Sequence, residues 1–277
     1  MTITVIVSAW RRPDLIPHVL GRLARQCRRP DQVIYAEDDL DEPTADALRT
    51  HAARLRLPIL HLRQPNSGAR KTVASNRAVR QATGDRLLFL DQDCLPGRFW
   101  LACHRLLARP GNFVQGWRLH IAQPAVPRFL AARVPLPGAL LRRQVSPLHR
   151  LLPRLQTIPG VPEGFEVLGC NLSVNRADFL AVGGYDETFV GWGYEDVDLA
   201  LRLHNFGRRY RVASGPISVF HLDHPVQSRA TANSRLALCN RRRADHTIRA
   251  ELGIDRPAGA CIIREFDPTY TRIEYDS

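Results

Sequence analysis

Two carboxylates spaced two residues apart follow a run of apolar residues. The run ends at residue 90, and Asp91-Gln92-Asp93 come directly after it. Carboxylate oxygens are the ligands that hard divalent cations prefer, and two of them on one loop can reach the same ion. Such an ion can bridge diphosphate oxygens and stabilise a departing nucleotide. The same residues would also suit an ordinary turn and helix cap before Pro96, so the spacing alone leaves both interpretations open.

A second pair of acids stands at the end of Gly191-Trp192-Gly193-Tyr194-Glu195-Asp196. Glycines on both sides of a tryptophan indicate a mobile or sharply turned loop that presents an aromatic ring. The acids then open a predicted helix, whose dipole favours their ionised forms. A carboxylate held there can accept the proton of an attacking hydroxyl. Acids in the first turn of a solvated helix are the plain alternative, and the flanking glycines favour the catalytic interpretation.

Histidines follow a later predicted strand over residues 217–221. His221 and His224 stand three positions apart in Phe-His-Leu-Asp-His-Pro. Imidazole can complete a metal site begun by carboxylates. A lone histidine is more often structural, but the pair beyond a strand end favours a metal-binding role.

Alternating elements in the first half of the chain would position these groups. Strands are predicted at residues 3–7, 32–36, 58–62 and 86–90, with helices over about 13–27, 43–55 and 69–82. This spacing predicts an α/β fold with a mostly parallel, doubly wound sheet flanked by helices. Ligands of such sheets bind beyond the carboxyl ends of the strands, where polar residues 8–12, 37–39 and 91–93 lie. No Gly-x-Gly-x-x-Gly or Walker loop is present, which disfavours a dinucleotide or P-loop site.

The second half of the chain is less regular. Residues 124–162 are rich in proline and leucine and predict short, broken segments. A buried or strand-like segment is predicted at 167–174, a short helix from Asp178 and a helix over 195–206. Strands at 209–212 and 217–221 follow, and the tail from about residue 229 is predicted to be helical and then irregular after Arg256.

Composition and charge limit the classes of function that the chain can have. The chain has 277 residues, 44% of them apolar, which fits one large domain with additions and excludes a disordered chain. Its formal net charge of +12 predicts an anionic partner. The six cysteines form no Cys-x-x-Cys pair, which disfavours a zinc ribbon. They are typical of the free thiols of a protein in a reducing compartment. No apolar run spans a bilayer and the first residues read as a strand, so we expect a cytoplasmic protein.

The positive charge is concentrated in one stretch. Residues 94–162 contain no Asp or Glu and ten arginines, whereas the whole chain has a single lysine, Lys71. An acid-free basic stretch suits peripheral contact with the anionic inner face of a membrane, where a lipid-linked acceptor would be found. A solvated basic face is an equally good interpretation.

These motifs, taken in order, resemble glycosyltransferase family 2, whose members have the GT-A nucleotide-diphospho-sugar transferase fold. The first half carries the family's opening strand and turn, its second strand and its Asp-x-Asp; the later half resembles a galactosyltransferase-type C-terminal segment. The matching stretches are residues 5–15, 30–38, 83–93, 169–176, 182–187 and 191–196. The resemblance covers roughly residues 3–225 and implies a metal-dependent, inverting transfer of a hexose from a nucleotide-diphospho-sugar.

The resemblance also implies roles for single residues. Asp196 is expected to be the catalytic base, and Trp192, Tyr194 and Glu195 to contact the acceptor. The expected ligands of Mn²⁺ or Mg²⁺ are Asp91, Asp93 and His221, with His224 as the alternative histidine. The expected donor-binding residues are Ser8, Ala9, Arg11, Asp38 and Asp91. Lys71 is added because it stands at a predicted helix start near a strand end, where it could contact phosphate; a solvated helix start is an equally good interpretation of Lys71. Glu37 and Arg11 depart from the family's usual pattern, which leaves the nucleotide base open although UDP is favoured.

The resemblance divides the chain into regions. Residues 1–228 are expected to form the transferase domain, with a nucleotide-sugar half (1–118), an Arg/Pro-rich insertion (119–165) and an acceptor half (166–228). Residues 229–277 are expected to form a helical and irregular extension. The partners expected are a nucleotide-sugar and a carbohydrate or lipid-linked acceptor, and no nucleic acid. A basic nucleic-acid-binding protein, supported by charge alone, and a nucleotidyltransferase on the same fold are the alternatives.

Overall fold

A computed structural model describes residues 1–131, 145–191, 193–224, 232–256, 261–267 and 270–276 of the chain. Four parallel strands form its centre in the order β3-β2-β1-β4. They are β1 (Ile3–Ala9), β2 (Gln32–Glu37), β3 (Ile59–Arg63) and β4 (Arg86–Asp91). The helices between them are α1 (Ile16–Ala24), α2 (Glu42–Leu55) and α3 (Lys71–Arg80). The predicted α/β fold with a largely parallel sheet is therefore confirmed.

The sheet continues beyond β4 with strands from the second half. Its full order is β14-β13-β3-β2-β1-β4-β10-β6-β11-β9. The added strands are β6 (Asn112–Gly116), β9 (Arg154–Ile158), β10 (Asn171–Asn175), β11 (Arg209–Ser214), β13 (Cys261–Asp267) and β14 (Tyr270–Asp276). Strands β6 and β11 run in the direction of the central four, and β10 is antiparallel to its neighbours β4 and β6.

A smaller sheet of four strands, in the order β5-β12-β7-β8, lies beside the end of β4. Its strands are β5 (Cys94–Pro96), β7 (Arg118–Ile121), β8 (Val145–Ser146) and β12 (Val219–Leu222). Because β5 begins one residue after Asp93, this sheet is covalently tied to the acidic loop. It brings residues more than a hundred positions apart in sequence to that loop.

The remaining helices are α4 (Trp100–Leu107), α5 (Val126–Ala131), α6 (Arg176–Ala181), α7 (Glu195–Asn205) and α8 (Ala232–Ala244). Two apolar clusters cover the faces of the large sheet. One joins inward residues of α1 and α2, such as Val19 and Leu48, to Val5 of β1. The other joins α3 and α7, through residues such as Val79 and Leu199, to Ile6 of the same strand. β1 is apolar on both faces because it is buried from both sides.

Two regional predictions need correction. The tail after Arg256, predicted to be irregular, contains β13 and β14, and β13 pairs with β3 at the edge of the sheet. The predicted insertion over residues 119–165 contributes β7 to the small sheet and β9 to the large one. Neither region was assigned strands from its sequence, and their strands are held by pairing with strands distant in the chain.

Candidate active site

The carboxyl ends of β1, β2 and β4 meet at one edge of the sheet, as the strand spacing predicts. Ser8 is aligned with Asp91, and Ala9 with Glu37. The backbone N–H of Asp38 donates to the Ala9 carbonyl at 3.0 Å. The polar residues that follow these strands therefore share one edge of the sheet.

The middle residue of Asp91-Gln92-Asp93 fixes this edge. The Gln92 side-chain amide donates to the Trp10 carbonyl at 2.7 Å, and its oxygen accepts from the Tyr35 hydroxyl at 3.1 Å. With Gln92 turned inward, the two flanking aspartates are left partly exposed. No role for Gln92 could be predicted from the sequence, because nothing in an Asp-x-Asp spacing specifies its middle residue.

Asp91 pairs with the single lysine of the chain. Lys71 is the first residue of α3, and its Nζ lies 2.9 Å from Asp91 Oδ1. Burial alone would lower the pKa of Lys71, but the negative charges of Asp91, Asp196 and Glu195 outweigh it and hold that pKa well above its ordinary value. Lys71 is therefore a cation held among three carboxylates from two distant parts of the sequence.

The carboxylate of Asp196 is oriented at both oxygens. Oδ1 accepts from the Tyr185 hydroxyl at 3.1 Å, and Oδ2 accepts from the backbone N–H of Gly169 at 3.0 Å. Burial and the nearby charge of Asp196 raise the pKa of Tyr185 well above its usual value, so its hydroxyl remains a donor. Each Asp196 oxygen keeps a further acceptor position. The sequence analysis missed Tyr185 because its contact with Asp196 is tertiary.

Glu195 is only 5% exposed. Burial, together with the neighbouring charge of Asp196, raises its pKa to about 7. Its Oε2 is buried and has no hydrogen-bond partner among the residues that the structure describes. A buried, unpartnered carboxylate oxygen next to Asp196 is a suitable acceptor for a substrate hydroxyl.

The loop before α7 is sharply turned, as its glycines predict. Gly191 and Gly193 have φ angles of 92° and 103°, and Tyr194 caps the helix at a φ of 69°. The N–H of Gly191 donates to the Ala69 carbonyl at 2.8 Å, which ties the loop to the residues just before Lys71. The ring of Tyr194 packs partly against the apolar cluster. Trp192, the other expected acceptor contact, lies outside the described residues.

Three of the expected metal ligands lie together. Their ligating atoms, from Asp93, His221 and His224, are all within 4.8 Å of one another. The His224 Nε2 is 3.1 Å and the His221 Nε2 3.7 Å from Asp93 Oδ2. Both histidines therefore belong to this group. The sequence had predicted His221 as a ligand, with His224 as the alternative. Asp91 is not in this group within the described part of the chain, and its Oδ1 lies against Lys71.

The small sheet assembles this group. β12 is antiparallel to β5, with His221 aligned with Cys94, and the N–H of Leu222 donates to the Asp93 carbonyl at 3.0 Å. β12 is also parallel to β7, which aligns His221 with His120. The sequence analysis missed His120, which comes from the predicted insertion.

The expected donor-binding residues line the same edge. Asp38 accepts from the Gln64 amide at 2.7 Å and from the backbone N–H of Arg70, and burial raises its pKa. Arg11 pairs with Asp39, so its guanidinium is already neutralised. Ser8 Oγ is buried without a hydrogen-bond partner among the described residues.

Glu37, which stands where the family has its first acid, is fully buried. It accepts from Arg63 Nε at 3.2 Å and lies 2.9 Å from His61 Nε2. Burial raises the pKa of Glu37 to about 8. Asp38, the residue after β2, is also buried at 6% exposure, so Glu37 is the more completely enclosed of the two acids.

The helix α8 contacts both α7 and the loop that precedes α7. Arg242 bridges two buried carboxylates, Asp186 at 2.8 Å and Asp198 at 2.5 Å, and Asp198 also accepts from Arg202 at 2.9 Å. Arg235 donates to the backbone carbonyls of Val190 and Gly193, two residues of the loop before α7. The predicted extension therefore supports the site directly.

Comparison with known proteins adds independent information. A family model described as Glycosyl transferase family 2 matches residues 4–150, and one described as the N-terminal domain of galactosyltransferase matches residues 162–225. Over 257 residues, the chain is 30% identical to the validoxylamine A glucosyltransferase of Streptomyces hygroscopicus subsp. limoneus. That alignment covers 86% of this chain and 55% of the relative. The chain thus spans little more than half of that protein.

Solved structures show similar folds at low identity. Staphylococcus aureus TarS 1–349 in complex with UDP-GlcNAc superposes with a TM-score of 0.63 at 17% identity, over 92% of this chain and 68% of that one. The mannosyltransferase PcManGT of Pyrobaculum calidifontis, in complex with GDP-Man and Mn²⁺, superposes with a TM-score of 0.56 at 20% identity. That superposition covers 93% of this chain and 65% of the other. At these identities the likeness establishes the fold alone.

Proposed function

The chain belongs to glycosyltransferase family 2 and has the GT-A fold, and from this premise we propose that it is a metal-dependent, inverting hexosyltransferase. It would transfer a hexose from a nucleotide-diphospho-sugar, most simply UDP-linked, to an acceptor hydroxyl. Family membership favours sugar transfer over the nucleic-acid-binding and nucleotidyltransferase alternatives. The glucosyltransferase relative, TarS in complex with UDP-GlcNAc and the mannosyltransferase PcManGT in complex with GDP-Man support the proposal.

One observation carries the proposal. Asp93 forms one group with His221 and His224, and its charge acts on Asp91. Asp91 contacts Lys71, whose charge interacts with Glu195 and Asp196. A group that can hold a cation thus stands near a group that can accept a proton. A transferase needs both, one for the leaving diphosphate and the other for the attacking hydroxyl.

The residues present fit a divalent cation. Two imidazole nitrogens and a carboxylate oxygen within 4.8 Å of one another suit Mn²⁺, and Asp91 is close enough in sequence to add a carboxylate or to bind a coordinated water. When bound, the cation neutralises charge on the leaving diphosphate. Mg²⁺ prefers oxygen ligands, so the two histidines favour Mn²⁺ over Mg²⁺.

Asp196 is the proposed catalytic base. The Tyr185 hydroxyl and the Gly169 N–H fix its carboxylate plane, and its remaining acceptor positions can take the proton of the acceptor hydroxyl. That hydroxyl would attack the anomeric carbon on the face opposite the nucleotide, which inverts the configuration. Glu195 Oε2, buried beside it, would hold a further acceptor hydroxyl.

The donor would lie along the edge formed by Ser8, Ala9 and Asp38. The unpartnered Ser8 Oγ is available to a ribose or base, and Lys71 supplies positive charge near the diphosphate. The hexose would be of the galactose or N-acetylhexosamine type that the sequence resemblance implies. The validoxylamine relatives add glucose to this set.

The test is calorimetric binding of UDP, GDP and dTDP, each with Mn²⁺ and with EDTA. No acceptor is needed. We expect metal-dependent binding of one nucleotide, lost in Asp93→Ala, which would also identify the donor class. A folded protein that binds none of the three nucleotides would contradict the proposal.

We further propose that the acceptor is a carbohydrate or lipid-linked glycan, reached by peripheral contact with an anionic membrane. The support is the acid-free stretch 94–162, where Leu148, Leu152, Arg154 and Leu155 are exposed together. Part of its charge is neutralised, because Arg118 and Arg150 pair with Glu166 (2.6 and 3.7 Å). None of the described helices has the length and apolar character needed to cross a bilayer.

Flotation with vesicles tests this membrane contact. The native chain should float with vesicles containing phosphatidylglycerol and stay behind with neutral phosphatidylcholine vesicles. Arg154→Glu with Leu155→Ser should weaken flotation and leave nucleotide binding unchanged. Absence of flotation with both lipids would contradict the contact.

A further inference from the structure

The imidazole of His221 lies between two carboxylates. Its Nε2 is 3.7 Å from Asp93 Oδ2, and its Nδ1 is 3.3 Å from Asp223 Oδ1. Asp93 is on the cation side of the ring, and Asp223 is on the far side. Asp223 is absent from the group formed by Asp93, His221 and His224, so the proposed function gives it no task.

Asp223 is itself held in place. Its Oδ1 lies 2.8 Å from Nδ1 of His120, and its backbone N–H donates to the Ile121 carbonyl at 3.1 Å. His120 stands on β7, aligned with His221 on β12. Two neighbouring strands therefore fix the carboxylate against the imidazole of His221.

This arrangement determines which nitrogen of His221 carries the proton. An ionised carboxylate only accepts hydrogen bonds, so the Nδ1 facing Asp223 must be the N–H. A neutral imidazole has one N–H and one lone pair, which places the lone pair on Nε2, toward Asp93. A metal ligand needs that lone pair, and a carboxylate behind the ring both orients the ring and strengthens it as a ligand.

We propose that Asp223 is a positioning residue for the metal site: with His120, it fixes His221 in the tautomer and orientation that bind a divalent cation. The inference rests on the proposed metal site and adds residues that the sequence resemblance does not include. Asp223 acts through His221 and does not touch the cation.

A direct role is the competing explanation. His120, His221 and Asp223 also have ligating atoms within 4.8 Å of one another, so they form a second group that could hold an ion. The two explanations differ in the number of cations bound. They also differ in whether Asp223 matters once His221 is removed.

The experiment is a Mn²⁺ titration of the full chain in the presence of UDP and without acceptor, read as free Mn²⁺ by electron paramagnetic resonance. The variants are Asp223→Ala, Asp223→Asn, His221→Ala, His120→Ala and the double variant Asp223→Ala/His221→Ala. Asp46→Ala removes an exposed carboxylate of α2 that is paired with Arg49, and it serves as the matched control. Thermal unfolding shows that each variant is folded.

We expect one Mn²⁺ per chain and a 10–100-fold loss of affinity in Asp223→Ala. The Asn variant keeps an acceptor oxygen, so its affinity should stay nearer the native value. In the His221→Ala background, Asp223→Ala should cause no further loss, because the residue through which it acts is gone. Should Asp223→Ala not fold, Asp223→Leu, which is close to the native side chain in shape but has no acceptor oxygen, provides the same comparison alone and with His221→Ala.

Three results would overturn the inference. They are native Mn²⁺ affinity in Asp223→Ala, an equal loss with and without His221, and two Mn²⁺ per chain with one lost in His120→Ala. Failure of the native chain to bind Mn²⁺ with UDP would instead contradict the proposed metal site itself, so the two failures are distinguishable.

Discussion

Gly169 and Asp196 approach so closely that a β-carbon on Gly169 would lie 2.0 Å from Oδ1 of Asp196. The same glycine donates its backbone N–H to Oδ2 of that carboxylate at 3.0 Å. A side chain at position 169 is therefore incompatible with the present position of Asp196. The proposed catalytic base is thus located by a residue that has no side chain.

Gly169→Ala should displace Asp196 and leave the donor edge intact. A misplacement of about 1 Å at a catalytic group can lower the rate by about 10²-fold, so we expect a loss of transfer on that order with unchanged UDP affinity. Gly97→Ala is the matched control, because a β-carbon there meets nothing within 4 Å. Native turnover in Gly169→Ala would mean that Asp196 does not need this position.

Asp196→Asn removes the proposed base and keeps its shape. General-base catalysis contributes about 10²–10⁴-fold, so transfer should fall by that factor while calorimetry shows native binding of UDP with Mn²⁺. The exposed Asp46→Asn should leave both quantities unchanged. Near-normal turnover in Asp196→Asn would refute the assignment of the base.

Lys71→Met removes the only lysine side chain of the molecule. The three carboxylates around it would lose their shared cation, and a donor diphosphate would lose a charge-assisted contact worth ~2 kcal/mol. We expect UDP affinity to fall at least tenfold, and Lys71→Arg to restore part of it. Unchanged UDP affinity in Lys71→Met would exclude a donor contact.

Arg242→Met breaks a buried ion network and should destabilise the fold. Asp186 and Asp198 are fully buried, and removing one partner of a buried pair costs ~3–5 kcal/mol. The neighbouring Arg241→Met is the control, since Arg241 is exposed. In urea unfolding, the midpoint of Arg242→Met should lie below that of Arg241→Met. Similar midpoints for the two variants would show that the ion network adds little stability.

Local sequence was sufficient to predict the strands and helices from β1 to β4, but not β5, α4 or β6 that follow them. The β-branched run of β1 and the apolar run of β4 read as strands, and each ends where its polar residues begin. Parallel strands connected by helices then place Ser8, Asp38 and Asp91 at one edge without any knowledge of distant contacts. Even here the length of α1 was overestimated, because residues 13–15 form a 3₁₀ turn before it.

The small sheet could not be predicted in the same way. Its strands are two to four residues long, too short for a periodic signal, and they come from four separate stretches of the chain. His120 has no local feature that connects it with His221. Asp223, in contrast, stands between the two histidines in sequence, and its spacing could have identified it as a partner.

The helix α8 illustrates a third case. The sequence predicted that this segment is helical. It did not predict the contact with α7, because an arginine-rich helix is usually exposed to solvent. Arg242 is buried only because Asp186 and Asp198 neutralise it. Such pairing over more than forty residues depends on the folded chain and leaves no pattern in the sequence.

The raised pKa of Glu195 makes stability depend on pH in a defined direction. Its pKa is about 7 in the folded protein and ~4.3 in an unfolded chain, so folding takes up a proton between these values. The contribution of Glu195 to stability is therefore greatest below pH 4 and is lost as the pH rises toward 7. Glu195→Gln removes this penalty.

We expect Glu195→Gln to be more stable than the native chain by roughly 3–4 kcal/mol at pH 8, and to differ little at pH 4. Urea unfolding at the two pH values measures this difference. The same variant should bind acceptor more weakly, because the amide replaces a carboxylate oxygen with a donor. Glu187→Gln, a partly exposed neighbour of the same loop region, is the control. A gain in stability that is equal at both pH values would show that burial of the Glu195 charge is not its cause.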